Sequence, residues 1–279
     1  MLHSPAETIH GLANAIEFIK LEEIVREFTR GRRFAFIVNA GNWGDGLIRY
    51  ATERFFRERG FDYVALPFDE AVTTSRDQYE ALIDSDEVQV VYSGGGVFFG
   101  KYRMHRKMPH LLAKTDAMLV LPHSFSVPAT KLGFRPQDVL IRRDRDHSVV
   151  AAPQSVFCHD MALSLPLIST QYPEKKIGYF FRTDRERSSD NSLPKNNRDI
   201  SKEGTEQTPI NKFLNSISKY SEVHTDRLHV SIAAALMGRS VHLYANSYFK
   251  NQSIYESSLS DAFPNVVFHA SCDSLPSPQ

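Results

Sequence analysis

The stretch IVNAGNWGDGLIRYATERFF, residues 37–56, passes from an apolar run through a glycine-rich turn into an amphipathic helical pattern. We predict a strand over Phe34–Asn39 and a helix over Gly46–Arg59, because the apolar positions change from a continuous run to helical spacing. Glycines in such a turn let backbone N–H groups approach an anion at the start of the helix. The spacing is neither GxGxxG nor a P-loop, and a tight turn without a ligand is the simpler interpretation of this turn alone.

The alternation of short apolar runs and helical patterns continues along the chain, which is typical of an α/β fold with a parallel sheet. The other predicted strands are Val88–Tyr92, Ala117–Leu121, Val139–Arg142, Val149–Phe157, Lys176–Phe181, Glu222–His224, Val241–Tyr244 and Val266–His269. The other predicted helices are Tyr102–Lys114, Pro209–Lys219, Arg227–Met237 and Gln252–Leu259.

The polar, proline-containing residues 164–176 separate the two sets of strands and are the predicted domain boundary. We therefore expect an N-terminal helical segment at 1–30, a Rossmann-like domain at 31–165 and a second Rossmann-like domain at 166–279. Residues 183–207 have scarcely an apolar side chain and are predicted to form a mobile loop.

The composition fits a globular protein: of 279 residues, 42% are hydrophobic and 24% are charged, and the formal net charge is zero. A neutral chain has no global basic field, so we expect no nucleic-acid partner. The two cysteines, Cys158 and Cys272, lack the CxxC spacing of zinc or redox motifs. No stretch approaches the roughly 18 apolar residues of a membrane span, and the N-terminus lacks a signal-peptide pattern. We therefore predict a cytoplasmic protein without an integral membrane segment, and its oligomeric state stays open.

The stretch TDRLH at residues 225–229 begins the predicted helix Arg227–Met237, with Thr225 or Asp226 as the N-cap. Its arginine and its histidine then lie in the first turn, where the helix dipole disfavours positive charge. Either an anion binds opposite them, or the arginine pairs with a carboxylate of the protein and the histidine only packs.

Polar or glycine-rich motifs follow most of the predicted strands. They are NAGNWGDG, SGGG, PHSFS, RRDRDHS, FFRTD, TDRLH and NSYFK. Ligands of open α/β sheets bind outside the carboxyl ends of the strands, so we expect these motifs to line one cleft between the two domains.

In this order the motifs resemble those of the polysaccharide pyruvyl transferase family. NAGNWGDGLI is similar to the family's Asn-x-Gly-Asn-x-Gly-Asp-x-Leu-Ile opening, and FRTD, TDRLH and NSYFKN are the more specific features. The resemblance implies a GT-B-like fold of two Rossmann-like domains. It also implies transfer of the enolpyruvyl group of phosphoenolpyruvate onto saccharide hydroxyls, forming a pyruvate ketal in polysaccharide or exopolysaccharide biosynthesis.

The resemblance also implies roles for individual residues. The residues implied to bind phosphoenolpyruvate are Arg182, Arg227, Leu228 and His229, and the histidines implied in proton transfer are His229 and His123. The residues implied to line the cleft are Asn42, Gly44, Asp45, Gly94, Gly95, Asn246, Ser247, Tyr248 and Lys250. Arginine suits a carboxylate and a phosphate because its planar guanidinium binds them at two points, and histidine titrates near neutral pH.

Phosphoenolpyruvate is then the donor substrate, a saccharide or glycan precursor is the acceptor, and no other cofactor is expected. We predict no metal, since His224 and His229 do not share a face as zinc ligands on a helix would. Two other functions stay open: a GT-B glycosyltransferase that uses a nucleotide sugar, and a non-catalytic saccharide-binding protein. Trp43 either stacks on a sugar ring or plugs the glycine turn, and Asp160 either orients a loop at the domain junction or has a structural role.

Overall fold

A computed structural model describes residues 9–100, 106–184, 186–187 and 193–271 of the chain. In this part the strands form a seven-stranded and a four-stranded sheet, and each strand pairs in parallel with its neighbours. The predicted α/β class with mainly parallel sheets is confirmed. The strands are β1 (Phe34–Val38), β2 (Tyr63–Pro67), β3 (Gln89–Tyr92), β4 (Gly95–Phe98), β5 (Ala117–Phe125), β6 (Val139–Arg142), β7 (Val156–Phe157), β8 (Lys175–Tyr179), β9 (Tyr220–Thr225), β10 (Ser240–Tyr244) and β11 (Val266–His269).

The large sheet has the strand order β2-β1-β3-β5-β6-β7, with β4 paired to β5, and the small sheet has the order β11-β10-β9-β8. Residues 165–174 connect the two sheets without a helix or strand. The helices are α1 (Ile16–Thr29), α2 (Trp43–Glu58), α3 (Phe68–Thr73), α4 (Arg76–Ile83), α5 (Met108–Leu112), α6 (Ser148–Ala151), α7 (Ile210–Ser218), α8 (Leu228–Leu236) and α9 (Lys250–Ile254).

The continuous apolar run of β1 is explained by burial of both its faces. Phe34 and Phe36 belong to a core that also contains side chains of α1, α2, α7, α8 and the small sheet. Ala35 and Ile37 point the other way, into a second core on the opposite face of the large sheet. Because the first core joins side chains of both sheets, it positions the strand ends of one sheet relative to those of the other.

The predicted strand Val149–Phe157 is wrong over most of its length. The chain forms α6 there, and only β7 remains as a short strand. The carboxylate of Asp144 accepts hydrogen bonds from the backbone N–H groups of His147 (2.9 Å) and Ser148 (2.8 Å). These contacts stabilise a helical turn where the apolar residues had indicated a strand.

Other boundaries differ from the prediction as well. The structure contains four elements that were not predicted: β2, β4, α3 and α4. The N-cap predicted at Thr225 or Asp226 is wrong, because α8 begins at Leu228 and Arg227 is its N-cap residue. Of the predicted helix Tyr102–Lys114, α5 covers Met108–Leu112, and residues 101–105 lie outside the described residues. The predicted helix Gln252–Leu259 begins earlier, as α9, and ends in a π-helical turn over Tyr255–Leu259.

Residues 193–207, which belong to the predicted mobile loop, contact segments next to both sheets: the backbone N–H of Arg198 donates to the Tyr179 carbonyl at the end of β8. Ile200 is buried in the first core, and Thr205 forms an isolated β-bridge with Asn42. Residues 185 and 188–192 of that loop lie outside the described residues, and its mobility stays a prediction. Among the described residues, no helix is both long and apolar enough to cross a bilayer.

Candidate functional site

A pocket of about 190 Å³ lies where strand ends of both sheets meet. Its walls come from the turn after β1, from β4, and from the segments that follow β6, β8, β9 and β10. The lining residues are Ala40, Gly41, Asn42, Gly44, Asp45, Gly96, Val97, Arg143, Arg182, Glu186, Ser201, Arg227, Leu228, His229, Tyr248 and Lys250. The carboxyl ends of parallel strands thus converge on one pocket, which is where α/β folds bind ligands.

The glycine-rich turn is held by a capping box at the start of α2. The side chain of Asn42 accepts a hydrogen bond from the Gly44 N–H (2.7 Å), and the carboxylate of Asp45 accepts one from the Asn42 N–H (3.0 Å). Gly44 lies against His229, because a Cβ atom placed on it would be 2.8 Å from Nδ1 of that ring. A side chain at this position would therefore push the imidazole away.

Two arginines of the pocket are paired with carboxylates of the segment that follows β8. The Arg182 guanidinium contacts Asp184 through Nε (2.8 Å) and Glu186 through Nη1 (2.7 Å). Arg227 contacts Asp199 and also Asp184, the latter at 2.9 Å from Nη2. Burial raises the pKa of Asp184, but the two guanidinium groups more than offset this and hold that pKa below its usual range. Of the two alternatives that the sequence left open, the pairing of Arg227 with carboxylates of the protein is present in this structure.

His229 lies in the first turn of α8, with its Nε2 3.5 Å from Oδ2 of Asp160. Asp160 is fully buried, and Nη1 of Arg143 donates to the same oxygen at 2.6 Å. Although burial raises the pKa of Asp160, the charges of Arg143 and His229 hold that pKa below its usual range. An ionised carboxylate thus holds a buried guanidinium and lies beside the imidazole, whose Nε2 has no hydrogen-bond partner among the described residues.

Lys250 and Tyr248 form the wall opposite the glycine turn. The Lys250 ammonium contacts Glu186 at 3.3 Å, and burial lowers the pKa of this lysine to about 8. The Tyr248 ring stacks on Phe99 with ring centroids 4.2 Å apart. Its hydroxyl is buried and has no hydrogen-bond partner among the described residues. A ligand with polar atoms would satisfy that hydroxyl.

Most of the residues implied to form the site meet in this pocket. The ones that line it are Asn42, Gly44, Asp45, Arg182, Arg227, Leu228, His229, Tyr248 and Lys250. The ones that do not line it are Gly94, Gly95, His123, Asn246 and Ser247. Gly94 approaches the Pro122 carbonyl, and Gly95 has a φ of 142°, which explains why glycine is needed in this crowded segment.

His123 lies in β5 beneath the pocket and is fully buried. Its Nε2 accepts a hydrogen bond from the Val97 N–H (3.1 Å), and its Nδ1 lies 3.2 Å from the Ser93 carbonyl oxygen. Burial and the nearby Arg143 charge keep the pKa of His123 well below its usual value. With both ring nitrogens bonded to backbone groups, this neutral imidazole holds β4 against β5.

Arg143 and Glu186 line the pocket although neither was named individually as a site residue. Arg143 belongs to RRDRDHS, one of the motifs that were expected to line the cleft because they follow strands. Glu186 lies in a polar segment without a periodic pattern. Trp43 is 4% exposed and packs on Phe213, so it plugs the first core.

The fold and the site define an α/β protein with a cationic pocket at the carboxyl ends of two parallel sheets. The chain belongs to the polysaccharide pyruvyl transferase family, whose family model matches residues 42–248. The family is one of transferases, and membership implies an enzyme that modifies saccharides.

A solved structure shares the fold over most of the chain. It is that of the uncharacterized protein KP1_0663 from Klebsiella pneumoniae subsp. pneumoniae NTUH-K2044, with a TM-score of 0.73 and 25% identity. The match covers 91% of this chain and 98% of that one. No curated protein matched the chain significantly.

Proposed function

We propose that the protein transfers the enolpyruvyl carbons of phosphoenolpyruvate onto saccharide hydroxyls and forms a pyruvate ketal. The observation that carries this proposal is the convergence of cationic side chains on one small pocket. These side chains are Arg143, Arg182, Arg227 and Lys250, and they face two lining carboxylates, Asp45 and Glu186. Among the lining side chains the cations outnumber the carboxylates, which suits a small, multiply charged acid better than a neutral sugar. Asp184 and Asp199 pair with the two arginines from outside the lining, so such an acid would compete with them.

Arg182 and Arg227 are the partners we propose for the carboxylate and phosphate of the donor. Both are almost fully buried, at 4% and 6% exposure, so their contacts with an anion are little screened by water. Leu228 contributes the backbone at the start of α8, where free N–H groups favour negative charge. The side chain of Leu228 also excludes water from this wall of the pocket.

The proposed chemistry needs three proton transfers. A proton is added to the methylene carbon of the donor, which makes the adjacent carbon electrophilic, and a sugar hydroxyl attacks that carbon and loses its own proton to a base. A second hydroxyl of the same acceptor then attacks the same carbon and displaces phosphate, which carries away the proton of that hydroxyl, and the ketal is closed.

His229 is the histidine we assign to proton transfer, because it lines the pocket and its buried Nε2 has no hydrogen-bond partner among the described residues. Lys250, with a pKa of about 8, is the second group able to exchange a proton near neutral pH. His123 has no part in this proposal, since backbone groups occupy both of its nitrogens.

Isothermal titration with phosphoenolpyruvate tests the binding step. We expect wild type to bind, and Arg227→Ala to lose at least tenfold in affinity. Arg198→Ala is the matched control, because Arg198 is half exposed and pairs with Glu203 away from the pocket. Equal affinity of wild type and Arg227→Ala would remove the proposal.

Mass spectrometry tests the reaction itself. Incubation of candidate glycans with the enzyme and phosphoenolpyruvate should add a pyruvyl group and release phosphate. A protein stabilised against heat by a nucleotide sugar and not by phosphoenolpyruvate would instead be a glycosyltransferase. Binding of phosphoenolpyruvate without any transfer to a broad glycan panel would favour a saccharide-binding protein.

A further inference from the structure

The small sheet carries a cluster of metal-ligating side chains that the pocket does not use. The cluster consists of Glu222, His224 and His242, and none of the three lines the pocket. Glu222 and His224 are two residues apart on β9 and therefore lie on one face of the sheet. The register pairs His242 of β10 with His224, which places the second imidazole on that face.

The three side chains bring their ligand atoms close together. One ligand atom from each residue lies within 4.8 Å of the other two. Nε2 of His224 is 2.6 Å from Oε1 of Glu222, and Nε2 of His242 is 3.9 Å from the same oxygen. Around a tetrahedral zinc ion, ligand atoms are about 3.3 Å apart, as follows from Zn–N bonds of about 2.0–2.1 Å. Small rotations of the side chains therefore bring all three onto one ion.

The opposite nitrogen of each imidazole already has a partner. Nδ1 of His224 lies 3.0 Å from the Tyr244 hydroxyl, and Nδ1 of His242 lies 2.8 Å from Nε2 of His269. Histidines that bind a metal through Nε2 usually donate Nδ1–H to such a group, which fixes the ring and directs the Nε2 lone pair at the ion. Tyr244 and His269 thus hold the two imidazoles through Nδ1, and the Nε2 atoms of both rings face Glu222.

The exposure of the cluster also suits a cation. The side chain of His224 is 3% exposed, whereas those of Glu222 and His242 are 34% and 27% exposed. An ion can therefore enter from solvent and rest against a rigid, buried ligand.

We propose that Glu222, His224 and His242 bind one Zn²⁺ ion on the exposed face of the small sheet, with water in the fourth position. Two imidazole nitrogens and one carboxylate oxygen form a ligand set typical of zinc. The ion would join β9 to β10 away from the pocket, so its role is to stabilise the sheet. This inference does not rest on the proposed transferase activity.

Zinc binding to untagged protein, stripped with a chelator and then titrated by calorimetry, tests the site. We expect one Zn²⁺ per chain, a rise in melting temperature, and the visible absorption of tetrahedral Co²⁺ when cobalt replaces zinc. His242→Gln and Glu222→Gln should each weaken Zn²⁺ binding at least tenfold. His110→Gln, which removes an exposed histidine of α5, should leave it unchanged.

Binding of Zn²⁺ by His242→Gln and Glu222→Gln as tightly as by wild type would overturn the proposal, as would the absence of any binding to wild type. Circular dichroism on the metal-free variants shows whether they are folded. Phosphoenolpyruvate affinity should be the same with and without zinc. The zinc site and the proposed transferase function can therefore be refuted independently of each other.

Discussion

The guanidinium of Arg227 holds the carboxylate of Asp199 at two points: Nε donates to Oδ1 at 2.9 Å and Nη2 donates to Oδ2 at 2.7 Å. This is the geometry in which an arginine binds the carboxylate of a small acid. Asp199 belongs to the polar segment between β8 and α7, far from Arg227 in sequence. The protein thus places one of its own carboxylates where an anionic substrate would compete with it.

Asp199→Asn should tighten phosphoenolpyruvate binding by about tenfold, equivalent to ~1.4 kcal/mol. The substitution removes a negative charge from Arg227, and the amide oxygen can still accept from the Thr183 N–H, which lies 2.8 Å from Oδ2. Isothermal titration measures the change. Glu203→Gln is the control, since Glu203 is in the same segment but pairs with Arg198. Unchanged or weaker binding by Asp199→Asn would show that this pair does not compete with the ligand.

Gly44→Ala should lower the transfer rate by about 100-fold, because misplacing a reacting group by about 1 Å has an effect of this order. The added Cβ would lie 2.8 Å from Nδ1 of His229 and 3.0 Å from Oδ1 of Asn42, so the imidazole must move. Steady-state kinetics measures the loss. In Gly100→Ala the methyl group meets no atom within 4 Å, and activity should stay at the wild-type level. A fully active Gly44→Ala enzyme would mean that the position of His229 is not critical.

The sequence predicted a helix or strand correctly where the residues that begin and end it are neighbours in the chain. α8 was predicted to within a residue, because its apolar spacing and the glycine after it are local signals. The predicted strand Val149–Phe157 is wrong because a residue outside that apolar run determines the conformation. The carboxylate of Asp144 accepts hydrogen bonds from the N–H groups of His147 and Ser148 and stabilises a helical turn there. β4 was missed because two of its four residues are glycines.

The composition of the site was predictable where motifs follow strands, and unpredictable where distant segments meet. Arg182, Arg227 and Lys250 follow strands. Glu186, which lines the pocket, and Asp199, which pairs with Arg227, come from a polar stretch without periodicity. The same limit applies to the small sheet. Sequence reasoning compared His224 only with His229, and the cross-strand register that pairs it with His242 appears only in the folded chain.

Phosphoenolpyruvate affinity should fall as the pH rises above about 8, by at most about tenfold per pH unit. The pKa of Lys250 is lowered to about 8, chiefly by burial, so above that pH the free protein loses a positive charge from the pocket. Titrations across this range measure the slope. Lys250→Met should bind weakly and without this slope. Lys202→Met removes an exposed lysine that contacts Thr183, and it should behave like wild type. The same slope in Lys250→Met would assign the titration to another group.

Asp226 is a buried carboxylate beneath the two arginines, and its neutralisation should stabilise the fold. Its side chain is 1% exposed and accepts a hydrogen bond from the Arg182 N–H at 2.7 Å. Burial raises the pKa of Asp226 from 3.8 to about 6, even though that hydrogen bond and the arginine charges lower it. The folded state therefore binds a proton more tightly than the unfolded state, so this group destabilises the protein as the pH rises from about 4 through 6.

Asp226→Asn keeps the acceptor oxygen and removes the charge, so it should raise the free energy of unfolding by ~1–3 kcal/mol at about pH 7.5. The gain should fall to about half at pH 5, because wild-type Asp226 is then largely protonated in the folded state. Urea denaturation at the two pH values measures both differences. Asp146→Asn, at an exposed position, should show neither effect. A destabilised Asp226→Asn protein would mean that the charge of Asp226 contributes more to the arrangement of Arg182 and Arg227 than its burial costs. A gain that does not change with pH would mean that it does not come from the titration of Asp226.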